Sequence, residues 1–448
     1  MPDTTHGDAE ATAKADADAR QFWNIVLWVV VAVLVVVVAV STARKVRKDR
    51  HAFLRFRAQT AQVLDGVNVY GGKSRFSYLP IFAVLLYPLA VLPPYLGAAA
   101  LFVIKVAMVV AAVRWSMLMA SGNRRGPPPW VVLIVVLLCA RPLISDLQHG
   151  NVNIIIMFLV IGGLRLLTRG RSLAAGMLIG LSVALKVTPA LFLPYLAYKR
   201  RWRALSGCGV GIVLSVALPA LFLGPARNLE LHKHWYKFMI APYAKEGAVK
   251  YQGHINQSVS ALSMRLLTDS EGVYMPKKIH HKTGTHRPIN VMSLDPAGVK
   301  GVTRVIMLGI VAWLAFVCRT RWLDARDWRL PCEFSLVLIA MLMLSAWTWK
   351  HHFVTIVLPM ACVVTYLLFE APGRGMRRYV TCTLIGFALL TTAMSGDLIG
   401  WMYRVEGERV AHKFVEAFGS YFLAGALLFA VLSVVLLRHR GAGTPHQP

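Results

Sequence analysis

Apolar runs long enough to cross about 30 Å of hydrocarbon recur along nearly the whole chain, separated by short polar, often basic, breaks. The first covers about 22–41. Eleven more follow at about 95–118, 130–145, 152–167, 172–186, 188–198, 204–223, 302–318, 333–348, 353–369, 379–396 and 415–437. The pattern predicts an all-α polytopic membrane protein with about 12 transmembrane helices. Two spans meet at Lys186-Val187-Thr188-Pro189 and also read as one kinked helix, because Pro189 lacks a backbone donor. Leu79 to Pro94 holds Pro80, Pro88, Pro93 and Pro94, which suits a re-entrant or interfacial segment better than a regular span.

Outside the spans, residues 1–21 are polar and rich in Ala, Asp and Thr, and are expected to form a disordered tail. The acidic lead-in and the lack of a small-residue cleavage site argue against a removable signal peptide. Two connections, about 42–94 and 224–300, are long, and 438–448 forms a short final tail.

Composition agrees with the pattern. The chain has 448 residues, of which 56% are hydrophobic and 16% charged, with a mean hydropathy of +0.55. Soluble domains carry about 25% charged residues, so soluble-enzyme, fibre and disulfide-scaffold classes are excluded. Cys139, Cys208, Cys318, Cys332, Cys362 and Cys382 lie in or at the ends of apolar runs with no CxxC spacing. They read as small hydrophobes, not as a zinc site or a disulfide framework.

Charge changes the picture more. There are 49 Lys+Arg against 21 Asp+Glu, a net of +28. In a soluble protein that excess would point to nucleic acid; beside membrane spans it reports orientation and attraction to anionic lipid. Arg124-Arg125, Arg165/Arg169/Arg171, Lys199-Arg200-Arg201-Arg203, Arg319 to Arg329, Arg374/Arg377/Arg378 and Arg438/Arg440 occupy alternate connections. By the positive-inside rule these are cytoplasmic, with both termini inside. One basic stretch, Arg44 to Arg57, falls on the opposite side.

The remaining connections then share the outer face. They contain Asp65 to Tyr78, Asp146 to Asn151, Lys186 to Pro189, 224–300, Trp349 to His352 and Asp397 to His412. Transporters place key groups near the midplane on broken helices; one-sided clustering suits an enzyme at the outer surface. Asp146, with Gln148, His149 and Asn151, ends an apolar run that also holds Arg141. An Asp146–Arg141 ion pair is the structural reading and a catalytic carboxylate the functional one. Lys186 is either a snorkelling boundary lysine or a point charge for a phosphate. Lys350, His351 and His352, with Trp347 and Trp349, form either an interfacial anchor or a cationic, proton-transferring cluster. In the long connection, His254, Asn256 and Gln257 suit a sugar or a polar head group. Arg227 joins Lys186 and Lys350 as a phosphate partner. GxxxxGK[ST], GxGxxG and HExxH patterns do not occur, so no nucleotide, metal or other cofactor is expected.

The order of several short motifs resembles a known family. Gly66-Val67-Asn68-Val69-Tyr70 leads to Phe76-Ser77-Tyr78-Leu79-Pro80 and Leu86-Tyr87-Pro88-Leu89-Ala90-Val91-Leu92-Pro93. Then come Gln148-His149-Gly150-Asn151, Leu185-Lys186-Val187-Thr188-Pro189, Lys199-Arg200-Arg201-Trp202-Arg203, Asn256-Gln257-Ser258 and Trp349-Lys350-His351-His352-Phe353-Val354. Over roughly 50–370 this resembles glycosyltransferase family 87, the polyprenyl-phosphate-mannose-dependent, mannosyltransferase-like membrane proteins of bacteria. The resemblance implies a GT-C-like fold with an outer-face cavity. It also implies transfer of a hexose, mannose for this family, from a polyprenyl phosphate sugar donor to a lipid-linked or glycan acceptor at the plasma membrane. It implies a general-base Asp early in the first outer segment and a His of the Trp-Lys-His-His motif at the site. The expected Asp-Phe pair falls on Ala52-Phe53, with Asp49 and Asp65 out of register. Asp146, Asp65 and Asp49 are therefore the candidate bases, assisted by His351 or His352, with Tyr78 among the substrate contacts. A flippase or transporter of lipid-linked sugars is the rival reading, and the missing Asp motivates a third, a catalytically inactive lipid-binding relative.

Overall fold

The computed structural model describes residues 4–71, 76–122, 126–242, 253–270, 272–275, 285–394, 398–399, 401–405 and 408–440. The chain is an all-α polytopic membrane protein. Its helices are α1 Thr4–Arg47, α2 Ala52–Leu64, α3 Pro80–Ala90, α4 Pro94–Ala120, α5 Pro129–His149, α6 Asn153–Thr168, α7 Ser172–Leu185, α8 Phe192–Tyr198 and α9 Trp202–Ala217. Next come α10 Ala220–Leu223, α11 Pro225–Trp235 and α12 Val259–Leu267. The rest are α13 Pro296–Val317, α14 Arg329–Leu344, α15 Val357–Phe369, α16 Arg374–Ala388, α17 Ala411–Ala417 and α18 Ser420–Arg438. Two small antiparallel hairpins, Val273–Met275 with Thr285–Arg287 and Arg404–Val405 with Glu408–Arg409, decorate the connections.

Among the described residues, seven helical stretches are long and apolar enough to cross a membrane. They match seven of the twelve expected spans. The other five expected spans form shorter pieces. Helix α6, with 16 residues, and α7, with 14, reach only about 24 and 21 Å at 1.5 Å per residue. Span 188–198 is a 3-10 turn, Thr188–Leu191, followed by the 7-residue α8, because Pro189 and the extended Lys186 (φ −158°) end α7. The pieces thus pack as a broken hairpin rather than as one kinked helix. Leu79 to Pro94 gives the short helix α3, Pro80 and Pro94 each opening a helix at its first position.

The tail expected to be disordered differs. Helix α1 begins at Thr4, so its backbone covers most of 1–21. Alternating alanines from Ala9 to Ala19 supply the strongest helix former, and no Pro interrupts them. Residues 441–448 of the final tail, Arg124-Arg125, Asp397 and most of Lys277 to Arg287 lie outside the described residues. Five cysteines are buried as expected; Cys382 is exposed.

Packing is closest between α7 and α9, where Gly176 and Gly180 meet the backbone of Ala204 and Cys208, and Gly207 and Gly211 meet that of Leu173 and Met177. Both partners advance by four residues together, so the helices run parallel, with small residues at the crossing. A Cβ at any of the four would collide with backbone, which cannot yield.

The bundle has two chemically distinct ends. At one, Arg20 donates to the Gly126 carbonyl (3.3 Å), and Lys199 donates to the Thr320 carbonyl (2.8 Å). There Arg329 also pairs with Asp327 (2.6 Å) and donates to the His439 carbonyl (2.6 Å). Buried Lys199 pairs with Glu333 at 2.8 Å, and Tyr195 donates to the same carboxylate at 2.9 Å. The opposite end holds the site. Lys45, from the basic stretch at the end of α1, lies at the site end beside His149.

Candidate active site

Seven elements contribute: the ends of α1 and α7, together with α4, α5, α6, a 3-10 helix and α17. Lys105 projects from α4, eleven residues past its start at Pro94, which sinks it about 16 Å below that start. Its ammonium lies 2.6 Å from Asp146 Oδ1, with the two side chains 1% and 0% exposed. It also donates to the carbonyls of Asp146 (3.0 Å) and Asn151 (2.8 Å). Asn153 Nδ2 donates to Asp146 Oδ2 (2.8 Å), and Lys186 Nζ donates to Asn153 Oδ1 (2.7 Å). One buried carboxylate thus aligns Lys105 directly and Lys186 through Asn153. The ion pair expected between Asp146 and Arg141 is replaced by one with Lys105. Residues five apart on a helix point about 140° apart, so Asp146 faces α4 while Arg141 faces elsewhere.

The α5–α6 corner turns on Gly150, whose φ is +68°. A side chain there would be strained and would also strike the His51 ring. The turn leaves His149 with Nδ1–H directed to the Ser145 carbonyl (2.7 Å) and Nε2 facing Lys45 Nζ (3.4 Å). His149 stacks on His351 with centroids 6.1 Å apart. Gln148 is half-buried beside it.

His351 and His352 ride a 3-10 helix, Lys350–Ile356, where neighbours diverge by about 120°. Their rings meet edge to face at 4.8 Å. His352 Nδ1 accepts from the Trp349 amide (3.2 Å), and His352 lines a narrow crevice with Lys186, Asn153, Thr188, Ser345 and Thr355. Lys350 lies 3.8 Å from Glu416. Burial pushes the Glu416 carboxyl above its usual range, opposed by Lys350 and Arg141. His51, buried between α1 and α2, is pushed down to about 4 by burial and by Lys105, His149 and Lys45, so its imidazole is neutral at pH 7.

Other expected site residues have different roles. Asn256 donates to the Ala346 carbonyl (3.0 Å) and accepts from the amides of Ser258 (3.2 Å) and Thr348 (3.0 Å). Gln257 donates to the carbonyls of His254 (2.7 Å) and Glu416 (2.7 Å) and accepts from the Tyr421 amide (3.2 Å). With their amide groups so engaged, they staple the loop under the histidine turn instead of facing a ligand. Fully buried Arg265 completes that staple by donating to the carbonyls of Gly253, Asn256 and Ala417. His254 is pushed down to about 3 by burial and nearby cations. Tyr78 packs on Phe82 at 4.4 Å, its backbone carbonyl accepting from Tyr70 Oη (2.9 Å). Arg227 donates to the Gly66 carbonyl at the surface. Asp65 is exposed beyond α2, beside Ala61, Leu64, Tyr87 and Phe222. Asp49 is exposed in a left-handed turn (φ 53°). Neither joins the cluster around Asp146.

Lys45, His51, Lys105, Asn153 and Glu416 were the residues the sequence reading did not assign to chemistry. Lys105 alone carried a signal, as an isolated cation in the middle of an apolar span.

Such an arrangement defines an integral-membrane protein with a recessed, cation-rich site at one end of its helical bundle. The chain belongs to glycosyltransferase family 87, whose family model matches residues 76–346. Among curated proteins it is 25% identical over 299 residues to a polyprenol-phosphate-mannose-dependent alpha-(1-2)-phosphatidylinositol pentamannoside mannosyltransferase of Mycobacterium tuberculosis, covering 66% of this chain and 60% of that one. A second M. tuberculosis protein, the corresponding phosphatidylinositol mannoside mannosyltransferase, is 29% identical over 166 residues, 32% of this chain and 38% of its own. A pentamannoside enzyme of Mycolicibacterium smegmatis is 30% identical over 154 residues, 33% and 35% of the two chains. The chain therefore spans less than two thirds of the length of each. No solved structure matches it.

Proposed function

We propose that this protein transfers mannose from a polyprenyl phosphate donor to a lipid-linked or glycan acceptor at the outer face of the plasma membrane. The observation that carries the reading is the charge of the site. Lys45, Lys105, Lys186 and Lys350 converge with four histidines, while Asp146 is closed off within the cluster and Glu416 stands at its edge. A site with more fixed positive than negative charge is built for a phosphate, and for the negative charge that gathers on it as the sugar–phosphate bond breaks.

Transfer with inversion requires the acceptor hydroxyl to lose its proton as it attacks the sugar carbon. Asp146 is poorly suited, since it is fully buried with both oxygens held. Asp65 and Asp49 stand away from the cluster. Glu416 and the imidazoles of His51 and His352 remain as proton acceptors, and Lys186 and Lys350 as partners for the departing phosphate. Family membership and the printed activities of the relatives support the donor.

Flippase activity is less well supported, because the cation-rich site lies at one end of the bundle, while the far end carries a separate, internally paired Lys199–Glu333–Tyr195 cluster. Ala52, in the register of the expected Asp, favours the inactive lipid-binding reading. One experiment separates these readings. Purified protein is given polyprenyl-phospho-mannose with a mannolipid acceptor, and release of polyprenyl phosphate is followed for wild type and for Lys186→Ala. The proposal expects release coupled to acceptor mannosylation and a loss of at least about tenfold in the variant, roughly the 1.4 kcal/mol of one weak charge-assisted contact. Donor binding without release would favour the inactive relative, and donor crossing the bilayer unchanged would favour the flippase.

A further inference from the structure

Trp347 and Trp349 are the part of the histidine turn to which the charge of the site gives no role. Both indoles are half-buried, with ring centroids 6.2 Å apart. Trp349 lies parallel to His352, at an interplanar angle of 6° and a centroid separation of 6.3 Å, and meets His351 edge to face at 5.3 Å. An interfacial anchor turns its ring to lipid and its N–H to water or head groups. Trp349 differs, since its ring packs on the two imidazoles of the site and its Nε1 is buried, with no hydrogen-bond partner among the described residues. A buried donor left unpaired is costly, and calls for an acceptor that the fold does not supply.

The local backbone fixes this indole in place. The Trp349 amide donates to His352 Nδ1 (3.2 Å), and the Trp349 carbonyl accepts from the His352 amide (2.8 Å). One residue earlier, the Thr348 amide donates to Asn256 Oδ1 (3.0 Å) and its hydroxyl to the Leu342 carbonyl (2.7 Å). The neighbours narrow the occupant. Lys350 is the next residue, and His352 lines the crevice that also holds Lys186. These lysines are the proposed partners of the donor phosphate, and in a sugar phosphate the sugar carbon is bonded directly to a phosphate oxygen. An aromatic group beside them is therefore placed for the sugar ring itself. A pyranose carries C–H groups on its faces and hydroxyls around its edge, which suits an indole face with one N–H donor. A hydrocarbon chain on the same surface would leave Nε1 unpaired, which selects a hydroxylated ring over a lipid tail.

We infer that Trp349, with Trp347 beside it, forms the subsite for the donor's hexose: the indole face takes a C–H face of the pyranose, and Nε1–H donates to one of its hydroxyls. The inference rests on the transferase reading and adds to it a residue that recognises the sugar apart from the phosphate.

The test uses the full-length protein in a zwitterionic detergent, whose head group carries no sugar. Wild type, Trp349→Phe and Trp349→Leu are titrated calorimetrically with polyprenyl-phospho-mannose and with polyprenyl methyl phosphate, which keeps the diester charge and lacks the sugar. Transfer to a mannolipid acceptor is timed in parallel. Wild type is expected to bind the mannosyl diester about tenfold more tightly than the methyl diester. That margin falls to about threefold in Trp349→Phe, which keeps an aromatic face and loses the N–H, and to within about twofold in Trp349→Leu. Affinity for the methyl diester stays within about twofold in both variants, whereas a merely structural role would weaken both ligands alike. In Trp349→Leu the donor KM rises about tenfold and the acceptor KM holds. Should Trp349→Leu fail to fold, the margin in Trp349→Phe decides alone. Equal binding of the two diesters by wild type, an equal loss of both in the variants, or a shift in the acceptor KM in place of the donor KM would overturn the inference. Selective binding of the mannosyl diester through Trp349 with no transfer to the acceptor would sustain the subsite and defeat the transferase reading; transfer without that selectivity would do the reverse.

Discussion

Replacing Asp146 by Asn tests whether this carboxylate supports the site or performs its chemistry. The substitution keeps shape and an acceptor for Asn153 but removes the charge opposite Lys105, which is 1% exposed. Breaking a buried pair from one side costs about 3–5 kcal/mol, because an ammonium is left without its counter-ion. Lys105 retains two carbonyl acceptors, which places the expected loss at the lower end, about 3 kcal/mol. Adding Lys105→Met removes the stranded charge, and the double variant should recover all but about 1–2 kcal/mol. The assay is unfolding of detergent-solubilised protein followed by circular dichroism, with donor turnover measured on the folded fraction. A supporting role predicts that turnover in the double variant falls through misplacement of Lys186 but remains measurable. If Asp146→Asn is as stable as wild type, or the double variant is no more stable than the single one, the ion-pair argument is wrong. If the double variant is stable yet shows no turnover at all, Asp146 is the base after all.

Three further outcomes follow from the same geometry. His51 ordinarily titrates near 6.5, but its folded-state value is depressed to about 4. The unfolded chain therefore binds the proton first, and the stability His51 contributes is present above pH 6.5 and lost as pH falls from 6.5 towards 4. That loss is about 3 kcal/mol for one buried imidazole, and His51→Gln should flatten this part of the stability–pH curve. Gly180→Val drives a branched side chain into the backbone of Cys208, and is expected to cost 2 kcal/mol or more, roughly, by overpacking; it should abolish recovery of folded protein at elevated temperature, whereas Gly209→Ala, with open space around it, should not. Glu333→Gln leaves Lys199 without its carboxylate at the far end and should destabilise by about 3 kcal/mol while leaving the donor KM unchanged, as read by unfolding and by kinetics.

The membrane class, the seven long helices and the gathering of polar groups at one end were legible because each rests on local properties, namely run length and the sign of the flanking charges. What could not be read was partnership. Lys105 and Asp146 are 41 residues apart, and nothing in the pattern of α4 says which neighbour its cation will meet. Asn256 and Gln257 looked like ligand contacts because amides suit sugars, but a loop packed under the histidine turn must satisfy its own backbone, and these amides do so. The twelve spans became seven long ones and five shorter pieces because hydropathy does not register where Pro189 breaks a helix. His51 was invisible for a related reason, since only the tight corner at Gly150 brings it against α5.

The break at Lys186 is what makes a recessed site possible. A full-length helix would satisfy its own backbone and carry Lys186 along a lipid-facing or packed surface, at a cost of several kcal/mol for an unpaired charge at depth. Ending α7 after 14 residues instead delivers the ammonium into the bundle interior, where Asn153 receives it and Asp146 balances it at one remove. The same economy applies to His351 and His352, which a 3-10 turn, not a regular helix, brings to bear beneath Trp349. At both places the chain gives up regular helix within the apolar layer and recovers the lost backbone bonds through neighbouring turns. The irregular backbone is tolerated there because it lines a polar crevice rather than lipid. The short helices, Lys105 and Lys186, and the histidine turn therefore meet one requirement of the proposed function, that positive charge be held below the surface of the bundle.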